Sequence, residues 1–280
     1  MLHLNNVSRQ YKNFQLEDIN FNLDTGYIMG LIGPNGSGKT TLIKLIMNLI
    51  RRDEGTIKIF GMDNIKEEKK IKDRIGFVYD ENYFYEGLSM KDMKDILSGF
   101  YSKWDEKRYY ELMNQFELDE RQKIKTLSKG MKMKFSIVMA LSHYAEFIIM
   151  DEPTSGLDPI VRREMLNILY DYIQSEKVSI LFSTHITSDL DKIADYITFI
   201  NKGKLVFSKS QEDLKEEYHI VKAGPEDIPK VFYDKFIGYE KTNVGFQGLL
   251  QDRGLLRELE DNIIIEVPTL EDIMYYHRGV

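Results

Sequence analysis

Leu2-His-Leu4 and the stretch from Phe14 to Leu23 alternate apolar and polar residues in part, as strands with one buried face do, and they predict a small antiparallel sheet at the start of the chain. Tyr27-Ile-Met-Gly-Leu-Ile-Gly33 is a short apolar run bounded by glycine, and behind it Leu42, Leu45, Ile46, Leu49 and Ile50 recur at helical spacing. The order is strand, glycine loop, helix. Three more short apolar runs, Ile75 to Tyr79, Phe147 to Met150 and Ser179 to Phe182, read as buried parallel strands with helical segments between them, which makes the class α/β. From about Ser89 to Ser142 strand-like alternation is missing, and Met93, Ile96, Leu97 and Phe100 follow a helical period, so a helical insertion is expected there. A glycine-centred hairpin spans Ile200 to Phe207. The charged segment Gln211 to Glu217 then opens a tail with apolar runs of its own, such as Ile263 to Val267, read as a folded appendage beginning near residue 212.

Composition narrows this picture without redirecting it. A chain of 280 residues, 42% hydrophobic and 30% charged, can bury a sizeable core as one large domain with an appendage. The net charge of -7 and pI near 5.4 argue against a general nucleic-acid binder, and no nucleic-acid partner is expected. With no cysteine, thiolate metal sites, disulfides and cysteine nucleophiles drop out. Neither a secretory leader nor a window of 18 apolar residues is visible, so the chain is expected to stay inside the cell and to reach a membrane only through a partner.

Two segments carry chemistry. Gly33-Pro34-Asn35-Gly36-Ser37-Gly38-Lys39-Thr40, followed by Thr41, fits a phosphate loop: its glycines let backbone amides converge on a β-phosphate at a helix N-terminus. Lys39 would reach the β and γ phosphates, and the Thr40 hydroxyl would ligate Mg²⁺. Phe147-Ile-Ile-Met-Asp151-Glu152 ends a strand in two carboxylates, and strand alternation gives them different tasks. Asp151 suits Mg²⁺, and Glu152 suits a general base for the attacking water.

Between these segments stands Leu127-Ser128-Lys129-Gly130-Met131; after them come Ser155-Gly156-Leu157-Asp158 and Ser183-Thr184-His185. In this order the motifs resemble those of the nucleotide-binding subunits of ABC transporters, over roughly residues 1 to 210. The resemblance implies an α/β P-loop NTPase cassette with a RecA-like parallel-sheet core, an N-terminal antiparallel β subdomain and a helical subdomain over about 88–143, all within an ATP-binding domain of residues 1–211. A small α+β appendage would fill 212–280. It further implies a head-to-tail dimer, of this chain with itself or with a paralogue, in which Ser128, Lys129, Gly130 and Met131 serve the partner's ATP. In this reading His185 contacts the γ-phosphate of its own site, Asp158 communicates across the interface and Tyr11 stacks on adenine. The histidines at 3, 143, 219 and 277 are read as structural.

Two segments depart from the family pattern. Asp80, with Glu81 behind it, stands where most members have a glutamine that ligates Mg²⁺ and contacts the membrane partner; a carboxylate there remains a possible Mg²⁺ ligand. Lys129 and Met131 replace glycine and glutamine, and Lys129 reads either as a charge near the opposing γ-phosphate or as a solvated surface lysine. Tyr83, Phe84 and Tyr85 read either as the surface for a permease's coupling helix or as packing within the helical insertion. The tail ending Pro268 to Met274 and the segment Lys129 to Lys134 resemble the bacterial antibiotic and peptide exporter subgroup, including bacitracin and phenol-soluble-modulin exporters. This implies an ATPase that powers a separate integral membrane permease from the cytoplasmic face of a bacterial membrane. The alternative is a non-transport or regulatory ABC ATPase with weak catalysis.

Overall fold

The computed structural model describes residues 1–79, 84–176, 178–251, 253–256 and 263–277. Strands β1 (Leu2–Gln10) and β2 (Gln15–Leu23) pair antiparallel, bringing Leu2 opposite Leu23 and Leu4 opposite Phe21. Between them and the rest of this sheet run β3 (Ile28–Ile32) and α1 (Lys39–Ile46). The sheet is completed by β4 (Glu54–Ile59), which sets Ile57 and Ile59 against Leu4 and Leu2, and by the short β5 (Met62–Asp63). All six of these apolar side chains are buried, so one face of the predicted antiparallel sheet is core.

After α2 (Glu68–Lys72) come β6 (Ile75–Val78), then α3 (Met90–Ser98), α4 (Glu106–Gln115), a 3₁₀ turn (Ile124–Thr126) and α5 (Lys129–Leu141). This is the predicted helical insertion. Ser89 starts α3 with a capping box, exchanging hydrogen bonds with Asp92. The inward stripe of α3 is Met90, Met93 and Lys94, whereas Phe100 beyond its end is 75% exposed. Lys94 is tolerated inside because its ammonium meets Asp95 and Glu106, both at 2.6 Å. Phe84 packs on Phe135 of α5, with ring centroids 5.0 Å apart, while Tyr85 is exposed; Tyr83 lies outside the described residues.

The parallel core follows: β7 (Phe147–Asp151), α6 (Pro159–Glu176), β8 (Ser179–Thr184), α7 (Thr187–Ile193), β9 (Tyr196–Asn201) and β10 (Lys204–Ser210). Strands β9, β3, β8, β7 and β6 lie side by side in parallel. Every residue of β3, β7 and β8 is buried, because helices cover both faces. Alternation sorts the side chains: Phe147 and Ile149 join the cluster with Leu42, Ile43 and Ile46 of α1, while Ile148 and Met150 join the one with α5, α6 and α7. The hairpin of β9 and β10 carries the parallel core across to the antiparallel sheet through the pair Lys204 and Glu17, so the described strands form one sheet ordered β5-β4-β1-β2-β10-β9-β3-β8-β7-β6.

The tail begins with α8 (Gln211–Glu217) and builds a second sheet from β11 (His219–Ala223), β12 (Gly238–Lys241), β13 (Phe246–Leu250) and β14 (Ile263–Glu266). Between these stand a 3₁₀ turn (Lys230–Lys235) and α9 (Arg253–Leu256), and α10 (Leu270–Tyr276) closes the chain's described part. Leu214, Tyr218, Leu249, Ile273 and Tyr276 share one apolar cluster with Leu190, Ile193, Phe199 and Phe207.

Candidate nucleotide site

The phosphate loop bridges β3 and α1. Gly38 caps α1 with φ of 116°, a backbone region that favours glycine, and brings no side chain to the helix end. The amides of the first turn are therefore left to face outward at the positive end of the helix dipole. A Cβ at Gly38 would also lie 2.8 Å from Leu16 Cδ1 and 2.9 Å from Phe14 Cζ, so any side chain here would have to displace those two as well as meet the backbone penalty. Within the loop, the Ser37 amide donates to the Pro34 carbonyl at 3.1 Å, and the Ser37 carbonyl accepts from the Gly203 amide at 2.9 Å. Lys39 is 6% exposed; its ammonium donates to the Gly33 carbonyl at 2.8 Å and lies 3.6 Å from Glu152 Oε1. Burial lowers its pKa, and the Glu152 carboxylate opposes that.

On β7, alternation puts Asp151 on the side of Phe147 and Ile149, which is the α1 side. The carboxylate is buried beside the Thr40 and Ser183 hydroxyls, yet its Oδ1 has no hydrogen-bond partner among the described residues. Burial pushes its pKa up. One carboxylate and one hydroxyl, with no cluster of three or more carboxylates or histidines among the described residues, match the way Mg²⁺ is held on a nucleotide: few protein oxygens, the rest from phosphate and water. Glu152 leaves the strand with φ of 50°, its amide donating to the Ser183 carbonyl. Its Oε2 accepts from the His185 amide at 3.2 Å and lies 2.7 Å from His185 Nδ1. Glu152 therefore stands between Lys39 and His185.

These groups border a cleft of about 700 Å³ lined by Asn35 to Thr41, Glu152 and His185, together with Asn13, Phe14 and Ser155. Asn13 and Phe14 were not singled out from sequence, and Ser155 was named only as the start of the motif that ends at Asp158. Phe14 stands three residues after Tyr11, and that aromatic pair is the one local signal that could have raised it. Tyr11 itself is 40% exposed, carries the Arg9 guanidinium 5.1 Å from its ring centre and does not line the cleft. Gly33 and Pro34 contribute through their carbonyls to Lys39. Ser128, Lys129, Gly130 and Met131 do not line it either: Ser128 caps α5, accepting from the Met131 amide at 3.2 Å, and Gly130 faces Val161 of α6. The Lys129 ammonium lies 3.2 Å from where a Gly156 Cβ would sit, so this lysine crosses over the loop before Asp158. Asp158 accepts from the Ile160 and Val161 amides at 3.0 Å, capping α6. Asp80 and Glu81 lie outside the described residues.

The sequence between residues 16 and 155 matches the family model described as ABC transporter. The chain is 32% identical to the ABC transporter ATP-binding protein YtrB of Bacillus subtilis (strain 168), over all of this chain and 98% of that one. It is 33% identical to the bacitracin transport ATP-binding protein BcrA of Bacillus licheniformis, over 72% of this chain and 66% of the other. A solved ATP binding subunit of an ABC transporter, 27% identical, superposes with a TM-score of 0.71 over 77% of this chain and 92% of its own length. The chain belongs to the ABC transporter family, as an ATP-binding subunit with ATPase activity.

Proposed function

We propose that this subunit powers the export of peptides, antibiotics or other amphipathic compounds by a separate integral membrane permease. The similarity to a bacitracin transport protein over 72% of the chain supports that substrate class. No helix of the described residues is long and apolar enough to cross a membrane, in keeping with a peripheral subunit that docks a permease at the cytoplasmic face. Asp80 and the aromatic segment behind it, of which Tyr85 is exposed, would meet that permease.

The observation that carries the catalytic reading is Glu152, held between the Lys39 ammonium and the His185 ring at the mouth of the phosphate loop. The loop amides and Lys39 hold the β and γ phosphates. Thr40 and Asp151 would hold Mg²⁺, which supplies charge neutralisation on the phosphate oxygens when bound. Glu152 takes the proton of the attacking water, and His185, tethered to it, keeps water and γ-phosphate aligned. Phe14, at the cleft wall, takes the adenine side, with Tyr11 behind it at a ring-centre distance of 6.4 Å. The second half of the site comes from another subunit: Ser128, Lys129, Gly130 and Met131 stand away from their own cleft, which supports a head-to-tail dimer in which they cover the partner's γ-phosphate and Asp158 reports across the interface.

Glu152→Gln keeps the size and the hydrogen-bonding reach of the side chain but removes the base. Mg²⁺-dependent ATP turnover is expected to fall about 10²- to 10⁴-fold while nucleotide binding persists. Unchanged turnover in a steady-state phosphate-release assay would sink the assignment. Wild-type chain that binds ATP without hydrolysing it would favour a regulatory subunit instead.

A further inference from the structure

We propose that Arg162 and Asp189 are positioning residues for hydrolysis, locking the start of α6, which carries Asp158, to the start of α7, which carries the His185 loop. The inference rests on the roles proposed above for Asp158 and His185. Asp158 caps α6 with its side chain and accepts through its carbonyl from the Arg162 amide at 3.0 Å. One turn into that helix, the Arg162 guanidinium reaches across to α7, donating from Nε to Asp189 Oδ1 at 2.5 Å and from Nη2 to the Ser188 hydroxyl at 3.1 Å. Asp189 stands four residues after His185 and is only 3% exposed. The next residue, Leu190, packs on Gly30 of β3, where a Cβ would lie 2.5 Å from Leu190 Cδ1, so α7 is seated on the strand that feeds the phosphate loop.

A purely structural explanation fits this pair poorly. Asp189 Oδ2 is buried with no hydrogen-bond partner among the described residues, so the carboxylate is only half satisfied. Well-packed apolar residues usually hold two helices together at least as well as a buried ion pair does. What the ion pair adds is direction. The planar guanidinium fork engages Asp189 and Ser188 at once and so fixes the angle as well as the separation of the two helix starts, a geometry that a lysine's single ammonium cannot reproduce. Neither Arg162 nor Asp189 lines the nucleotide cleft, so both act through Asp158 and His185 rather than on the phosphates.

Loosening the link should therefore disturb hydrolysis and spare binding. The test uses the full chain with two variants: Arg162→Met/Asp189→Leu, which removes both charges and leaves no buried ion alone, and Arg162→Lys, which keeps the charge and loses the fork. Nucleotide-binding stoichiometry with a fluorescent ATP analogue counts folded sites in each. For the double variant, kcat for ATP is expected to fall about tenfold or more with KM and stoichiometry held within about twofold, the lysine variant lying between it and wild type. Wild-type kcat in either variant, or a kcat that drops only in step with stoichiometry, overturns the proposal. If the double variant does not fold, the lysine variant alone decides by the same readouts. A wild-type chain that hydrolyses ATP and loses this in Glu152→Gln, while the Arg162 variants stay normal, would refute the link and leave the reading of the site intact.

Discussion

His143 is fully buried, its ring stacked on Tyr101 with centroids 3.8 Å apart, and neither ring nitrogen has a hydrogen-bond partner among the described residues. Burial drives its pKa down to about 4, against a smaller opposing effect of Asp73. In the unfolded chain the imidazole takes a proton near pH 6.5; in the fold it resists until about 4. The unfolded state thus binds more protons between these values, and stability that is full above pH 6.5 is lost as pH falls toward 4, by up to about 3 kcal/mol. Burial lowers the pKa of His277 as well, which acts with the same sign. Melting temperatures from pH 7 to 4 should fall less steeply in His143→Phe, which keeps a stacked ring without the titrating nitrogens; parallel curves would rule this out. The cleft residues were more legible than this histidine. Lys39, Thr40, Asp151 and Glu152 sit in contiguous segments readable from residue type and strand and helix geometry, whereas His185 was singled out by the resemblance to the ABC family. Asn13 and Phe14 reach the cleft because β2 starts beside the phosphate loop, a long-range contact with no local pattern, and Arg162 and Asp189 look like surface charges until α6 and α7 are set side by side.

At the scale of elements, the hairpin of β9 and β10 was readable from Asn201-Lys-Gly203, but what it supports was not. The Gly203 amide holds the Ser37 carbonyl from behind, and its own carbonyl accepts from the Glu17 amide at 2.9 Å, so one turn ties the phosphate loop to the antiparallel sheet. Gly203 has φ of 79°, and a Cβ there would lie 1.8 Å from the Gln15 carbonyl oxygen. Gly203→Ala must meet the left-handed penalty of about 1–2 kcal/mol and also displace backbone. Gly26, with φ of 86° and open space around it, isolates the first effect. Gly26→Ala should lower stability by about that penalty alone in a denaturant titration. Gly203→Ala should lose more and bind ATP more weakly; equal losses in the two would remove the clash from the account. Strand pairing between residues so far apart in sequence is set by the closed fold rather than by the turn, which is why the apolar pattern could not announce it.

For the whole molecule, the chain divides less cleanly than its composition suggests. The charged run from Gln211 reads as a boundary, but the apolar core passes beneath it: Tyr218 and His277 pack around Phe199 and Phe207, Gln211 donates to the Leu190 carbonyl at 2.8 Å, and Asn201 donates to that of His277 at 3.1 Å. Helix α10 also comes close to the His185 loop, where Glu271 and Met274 border a hollow of about 200 Å³ with His185 and Ser188. A chain ending at Ser210 would lose Tyr218 and His277 and expose Phe199 and Phe207, each worth about 1.5–3 kcal/mol when buried. Its melting temperature should drop on the order of 10 °C, given the usual relation between stability and Tm at this size. A cassette that melts unchanged without residues 211–280 would show the two parts to be independent. The nucleotide cleft has a different bearing on the life of the molecule. Ser37 Oγ and Asp151 Oδ1 are buried without a hydrogen-bond partner among the described residues, Lys39 is desolvated, and Glu152 is bent into left-handed backbone. A bound triphosphate would take the Lys39 ammonium and the Ser37 hydroxyl, its Mg²⁺ would take Asp151, and at a hundred times its Kd such a ligand adds about 2.7 kcal/mol to stability. ATP is thus a folding ligand as well as fuel: a subunit with an empty cleft is expected to open more often than a loaded one, and limited proteolysis with and without Mg²⁺-ATP reads the difference.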